Sequence, residues 1–238
     1  MTNELIHEVE AALKREELEK FWAEYRNYIV GGILLAIVLT GALSAWRAHK
    51  HNVNTRDTAL LITAMSADED KVAGALDEAA AQLGPRHRAL AFLAEGGALM
   101  QADKKKEALA VYQKAAADDS LPGDWHDLAT LLAVRTDWAL NDAKGRDAEA
   151  LLSRLKPLLK DEKSPWHYHA RLQAGLIAAH GLDDYTQAQE HMQAVADTET
   201  APPSLRERAK GLNHVYTLRM GAAKKAEKPG TEKSNPEG

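Results

Sequence analysis

Ten histidines and no cysteine bound the chemistry open to this chain. Without thiols there is no disulfide, no thiolate nucleophile and no cysteine-ligated zinc or iron–sulfur site, while the compartment stays open. Two histidines on one helix chelate an ion when they stand three or four residues apart, on a common face. His167 and His169 are two apart, about 200° around a helical wheel, and so fall on different faces. His180 and His191 lie on opposite arms of an expected hairpin with Asp183 and Asp184 at its turn, which is not a ligand pattern. Glu4-x-x-His7 supplies one half of a di-iron carboxylate signature, but a bundle needs that motif twice plus further glutamates. No glycine-rich phosphate loop, nucleophile elbow or His-Glu-x-x-His sequence occurs. The expectation is therefore a non-enzymatic protein with no catalytic, metal-ligating or cofactor-binding residues, no cofactor and no small-molecule substrate. A formal net charge of −5 leaves no basic footprint, which argues against nucleic acid as a partner.

With chemistry set aside, the elements carry the argument. Aromatic residues make up only 5% of the chain while Ala and Leu recur, a mix suited to helices packed closely through small side chains. Alternating runs of Val, Ile or Thr are absent outside one apolar stretch, so the expected fold class is all-α. That stretch runs from Asn27 to Trp46, twenty residues without a charge, flanked by Arg26 and Arg47. At about 1.5 Å per residue it is about 30 Å long, the thickness of a bilayer's hydrocarbon core. Tyr25 and Tyr28 stand at one rim and Trp46 at the other, where amphipathic rings favour the headgroup layer. A transmembrane helix over 27–47 acting as an uncleaved signal anchor is expected, since the preceding segment is too long and too rich in glutamate for a signal peptide. Four Lys/Arg on one side against three on the other leave orientation nearly undecided by charge. Gly32, Ala36, Thr40 and Ser44 recur at i, i+4 and are expected to form a small-residue stripe for helix packing in lipid. Residues 1–26 read as an imperfectly amphipathic, acidic helix interrupted by Glu16 and Glu17.

Self-comparison of the remainder shows a period near forty. Ala108, Ala148 and Ala188 recur at forty-residue intervals, each shortly after a turn: Ala102-Asp103-Lys104, Asn141 to Gly145, and Gly181-Leu182-Asp183-Asp184. Breakers follow each second helix, at Leu121-Pro122-Gly123, Ser164-Pro165 and Pro202-Pro203, and the pairs Trp125-His126 and Trp166-His167 keep the register. Nine helices are expected near 55–66, 69–83, 87–101, 104–118, 124–140, 145–159, 165–180, 184–197 and 204–219. Ser164 is expected as an N-cap before Pro165, with capping boxes at Ser66-x-x-Glu69 and Ser204-x-x-Glu207. Short turns make antiparallel hairpins, and hairpins in series stack into a solenoid over 48–221. The Lys-, Glu-, Pro- and Gly-rich residues 222–238 are expected to be a disordered tail.

The stretch 89–122 resembles a tetratricopeptide repeat: Phe92, Gly96 and Leu99 in the first helix, Ala108, Tyr112 and Ala115 in the second, and Pro122 near the end. Gly96 and Ala108 are expected where the two helices touch, and Ala148 and Ala188 hold the corresponding places in longer, divergent units. Taken with the anchor, the chain resembles the tetratricopeptide-repeat-like bacterial inner-membrane family that includes the ancillary subunit of the Sec translocon. That resemblance implies a single-pass inner-membrane protein with a cytoplasmic N-terminus and a periplasmic repeat domain. It also implies partners among translocon subunits or periplasmic chaperones. The function expected is a membrane-anchored scaffold whose first helices, 87–101, 124–140 and 165–180, hold a client, with Arg135, Arg171 and Gln173 as exposed contacts. The alternative is a structural assembly subunit that self-associates through its membrane helix.

Overall fold

The computed structural model describes residues 38–140 and 147–226, with side chains to 222, and every regular element among them is a helix. Contacts divide the chain into two units, Met1–Arg56 and Asp57–Gly238.

In the first unit residues 38–56 are helical and exposed. Val38, Leu39, Leu43 and Trp46 are each more than half exposed, and the Lys50 ammonium lies 5.3 Å from the Trp46 ring centroid. Among the described residues no helix is long and apolar enough to cross a membrane. Most of the expected span, including Gly32 and Ala36, and the whole acidic segment 1–26 lie outside the described residues. Thr40 and Ser44 are described, and both are exposed.

The second unit opens with helical residues 57–65 (α1). It continues through α2 (Val72–Ala80), α3 (Pro85–Gln101), α4 (Lys105–Ala116), α5 (Gly123–Leu140), α6 (Ala148–Lys160), α7 (His167–Gly181), α8 (Tyr185–Ala196) and α9 (Pro203–Ala226). From α2 onward each helix packs on the next, and α3, α5, α7 and α9 also meet in succession. Of these, α5 and α7 are covered on two sides, whereas α4, α6 and α8 bury one stripe. The core shows this sharing. Ala129 and Ala133 of α5 join a cluster with Leu76, Phe92 and Tyr112, while Leu131 and Val134 of the same helix join Leu151, Leu155 and Leu158. In α7, Ala174 and Ile177 face that second cluster, and Leu172, Ala178 and Ala179 face a third with Met192 and Tyr216.

Two tight turns reveal how the hairpins close. Asp103 and Asp183, eighty residues apart, are the non-glycine residues with positive φ among those described, at 56° and 52°. Aspartate tolerates this left-handed geometry better than most L-residues. The turn lets Lys104 N–H reach the Leu99 carbonyl at 2.8 Å and Asp184 N–H reach that of Ala178 at 3.0 Å, satisfying helix-end acceptors. After the second turn α8 is capped by Asp184, which accepts from Gln187 N–H at 2.9 Å, and elsewhere Asp147 caps α6 by accepting from Ala150 N–H at 2.9 Å.

Several boundaries differ from the sequence reading. Pro165 sits in a turn and α7 starts at His167; the Ser164 hydroxyl donates to Asp127 at 2.6 Å and accepts from Trp166 N–H, just before α7, at 3.4 Å. Ser66 closes the preceding helix by donating to the Ile62 carbonyl at 2.8 Å, so it caps no following one, and α2 begins only at Val72. Ser204 lies inside α9, whose first residue is Pro203, a position where the missing N–H costs nothing. Residues 222–226, expected in a disordered tail, continue that helix to Ala226, and 227–238 lie outside the described residues.

Candidate docking face on the first helices

The packing residues singled out in the sequence are all buried in the second unit: Phe92, Leu99, Ala108, Tyr112, Ala148 and Ala188, with Gly96 beside them. Gly96 faces the Tyr112 ring, and a Cβ there would overlap it, so the close approach runs from glycine to aromatic ring and not from Gly96 to Ala108. A second such contact carried no obvious sequence signal. Gly175 stands against Met192, with the Ala188 carbonyl oxygen 3.2 Å from where a Cβ would lie. Tyr112 and Met192 are eighty residues apart, as are Ala108 and Ala188, so hairpins α3–α4 and α7–α8 share one packing plan. Ala148 serves differently: its methyl lies 2.6 Å from the position of a Cβ on Gly181, at the far end of α7.

The N-terminal turn of α7 is held rigidly. Trp166 Nε1 donates to the Asp124 carbonyl at 2.7 Å, fixing the start of α7 to the start of α5. His167 Nδ1 donates to the Leu158 carbonyl at 2.9 Å, which leaves Nε2 to accept from Arg171 Nε at 2.9 Å. Arg171 is thereby turned toward α8, where it helps burial to hold His191 below the usual histidine range.

Beyond this anchor, α5, α7 and α9 enclose a hollow of about 50 Å3 lined by Leu131, Arg135, His169, Leu172, Gln173, Leu176, Leu205 and Arg208. Of the contacts expected from sequence, Arg135 and Gln173 meet here and Arg171 does not. Gln173 is buried at 8% exposure, against the expectation of an exposed contact, because α7 is covered on both sides. His169, Leu205 and Arg208 were not anticipated; they become visible only once α9 is seen to pack against α7. Burial, with the Arg135 and Arg208 guanidiniums alongside, holds His169 below the usual histidine range, so the ring is neutral near pH 7. Its Nδ1 is buried and has no hydrogen-bond partner among the described residues.

Larger hollows lie elsewhere, and some of their charges are paired. One of about 510 Å3 beside α2 and α4 contains Lys114 bonded to Asp77 at 2.7 Å and Arg88 paired with Asp118 at 3.2 Å. Another of about 480 Å3, at the start of α4, holds Lys105 paired with Asp103 at 3.1 Å. Among the described residues no group of three or more His, Asp or Glu is placed to hold a metal ion. Searches for relatives add no constraint: no family model, curated protein or solved structure matches the chain.

Proposed function

We propose that this chain is a non-enzymatic, membrane-anchored helical-repeat scaffold that binds protein partners, with translocon subunits and periplasmic chaperones as the foremost candidates. The observation that carries the reading is the layer formed by α3, α5, α7 and α9 in succession, which offers a continuous surface built from the first helix of each hairpin. Hairpins stacked in series are the architecture of tetratricopeptide-like solenoids, whose repeated first helices hold extended or helical segments of other proteins. The eighty-residue recurrence of the left-handed aspartates and of the glycine-backed contacts is consistent with that architecture. Exposed Val38, Leu39, Leu43 and Trp46, followed by Arg47 and Lys50, are what the end of a lipid-embedded helix presents at a membrane interface. Tethering to a membrane raises the effective concentration of the docking layer beside a membrane complex.

The absence of cysteine makes the topology directly testable. A Glu199→Cys variant, at an exposed turn, should react with a membrane-impermeant maleimide in intact spheroplasts if the repeat domain is periplasmic. Affinity purification of the full-length chain in mild detergent should then recover translocon subunits or periplasmic chaperones. Labelling only after lysis, or recovery of cytoplasmic proteins alone, would count against this reading. Thr40 and Ser44, exposed on one face of the first unit, favour the second reading of self-association through the membrane helix. Replacing the span with a generic anchor separates the two, because the scaffold tolerates it and the assembly subunit does not.

A further inference from the structure

We propose that the hollow between α5, α7 and α9 binds a segment of a partner protein in which an aliphatic side chain stands next to a carboxylate. This rests on the scaffold reading and adds the chemistry of what is bound.

The apolar half of the argument is size and lining. Leu131, Leu172, Leu176 and Leu205 surround a space of about 50 Å3, which admits the end of one aliphatic side chain and is far smaller than a cofactor or nucleotide needs. The charged half is complementarity. Arg135 and Arg208 come from different helices, α5 and α9, and line the same hollow as His169. The hollow's lining contains no carboxylate, and neither arginine has an ion-pair partner among the described residues. This contrasts with Arg88 and Arg154, each paired with an aspartate at 3.2 and 2.8 Å. An aspartate or glutamate of the partner fits between the two guanidiniums, which bind carboxylate through paired donors. Two arginines without a wider basic stripe or a stacking platform are a poor footprint for nucleic acid.

The test uses the full-length chain in mild detergent and a displayed library of random twelve-residue peptides. Recovered peptides should combine Asp or Glu with Leu, Ile, Val or Met. A fluorescein-labelled copy of the most enriched peptide should bind about tenfold more weakly to the Arg135→Gln/Arg208→Gln variant, recover only in part on Arg135→Lys/Arg208→Lys, which keeps the charge without the paired donors, and weaken with added salt. Both arginines are exposed, so the variants should keep the parent's unfolding midpoint, which circular dichroism checks. The proposal is overturned by recovery of no peptide, of peptides lacking acidic residues, or of peptides held equally by the glutamine variant. Equal competition by a single-stranded oligonucleotide overturns it as well. A parallel purification from cells separates this from the parent reading. Partners retained by both parent and glutamine variant leave the scaffold standing and move the docking site elsewhere, whereas no partner with either removes the scaffold itself.

Discussion

Glu95 offers a quantitative test of the hairpin packing. It lies on α3 at 7% exposure, and its Oε2 has no hydrogen-bond partner among the described residues. Burial, with repulsion from Asp77 added and attraction to Lys114 opposing, pushes its carboxyl up to about 7 from an ordinary 4.5. Below pH 4.5 the group is protonated in both folded and unfolded chains, and its contribution to stability is fully present. Between 4.5 and about 7 the folded chain still binds a proton that the unfolded chain has released, so stability falls as pH rises. Above about 7 the loss is complete. At about 1.36 kcal/mol per pH unit the loss is at most about 3 kcal/mol. The Asp77–Lys114 pair beside it is more than half exposed and admits solvent, which lowers the expected loss to about 1–2 kcal/mol. Glu95→Gln keeps the shape and removes the charge. Urea unfolding of the full-length chain should show the variant more stable by about 1–2 kcal/mol near pH 8 and equal within a few tenths near pH 4. The corresponding midpoint shift near pH 8 is about 2–8 °C. Parallel pH profiles for parent and variant would refute the argument, because the buried carboxyl would then not be titrating with folding.

Adjacent glycines on α3 should respond in opposite directions. Gly96→Ala should cost about 1–2 kcal/mol by driving a methyl into the Tyr112 ring, while Gly97→Ala, with open space around it, should gain about 0.5–1 kcal/mol from helix propensity, both read by thermal unfolding. Asp57→Ala should cost about 1–3 kcal/mol, since the Asp57 side chain is 5% exposed and accepts from Gly84 N–H at 2.9 Å where α3 begins. A loss no larger than that of Asp68→Ala, an exposed aspartate, would refute the buried cap. At the left-handed turn before α8, Asp183→Val should destabilise by about 1 kcal/mol or more and Asp183→Gly should be neutral or stabilising, a ranking that denaturant midpoints check.

The helices were legible because their signals are local. Period, breakers and turn residues placed α3 through α8 and the start of α9 to within about three residues, while α9 runs on to Ala226, and the resemblance to a tetratricopeptide repeat singled out Gly96 as a packing position. What escaped depends on groups far apart in the chain. Ser164 accepts from Trp166 N–H at 3.4 Å as its sequence suggests, yet its hydroxyl also donates to Asp127, thirty-seven residues away. Asp57 has no helix-start pattern around it, yet it caps α3 from twenty-seven residues upstream. Gly175 was passed over because Met192 does not look like Tyr112, although each lies against a glycine of the preceding helix. Packing against glycine constrains volume and not residue type, so the equivalence appears only in three dimensions.

The same reasoning explains why the proposed docking hollow falls where it does. In the first and third hairpins a glycine admits a large side chain from the second helix, and Tyr112 and Met192 are buried at 5% and 0% exposure. The middle hairpin has Thr136 at the place forty residues after Gly96, buried at 4%, so α5 cannot accept its partner in that manner. Trp138 instead reaches toward Gly181 at the end of α7, its ring 3.1 Å from the position of a Cβ. The bulk that would pack within the hairpin is thus used between hairpins, and it binds the C-terminal ends of α5 and α7 together as Trp166 and Asp124 bind their N-terminal ends. Fixed at both ends, the two helices hold Arg135 and His169 in register while α9 brings Arg208 to them. Two exposed guanidiniums at one hollow, with no carboxylate in its lining, offer an incoming carboxylate charged donors from two helices. The expected consequence is that an acidic peptide bound at this face raises the thermal midpoint of the parent more than that of Arg135→Gln/Arg208→Gln.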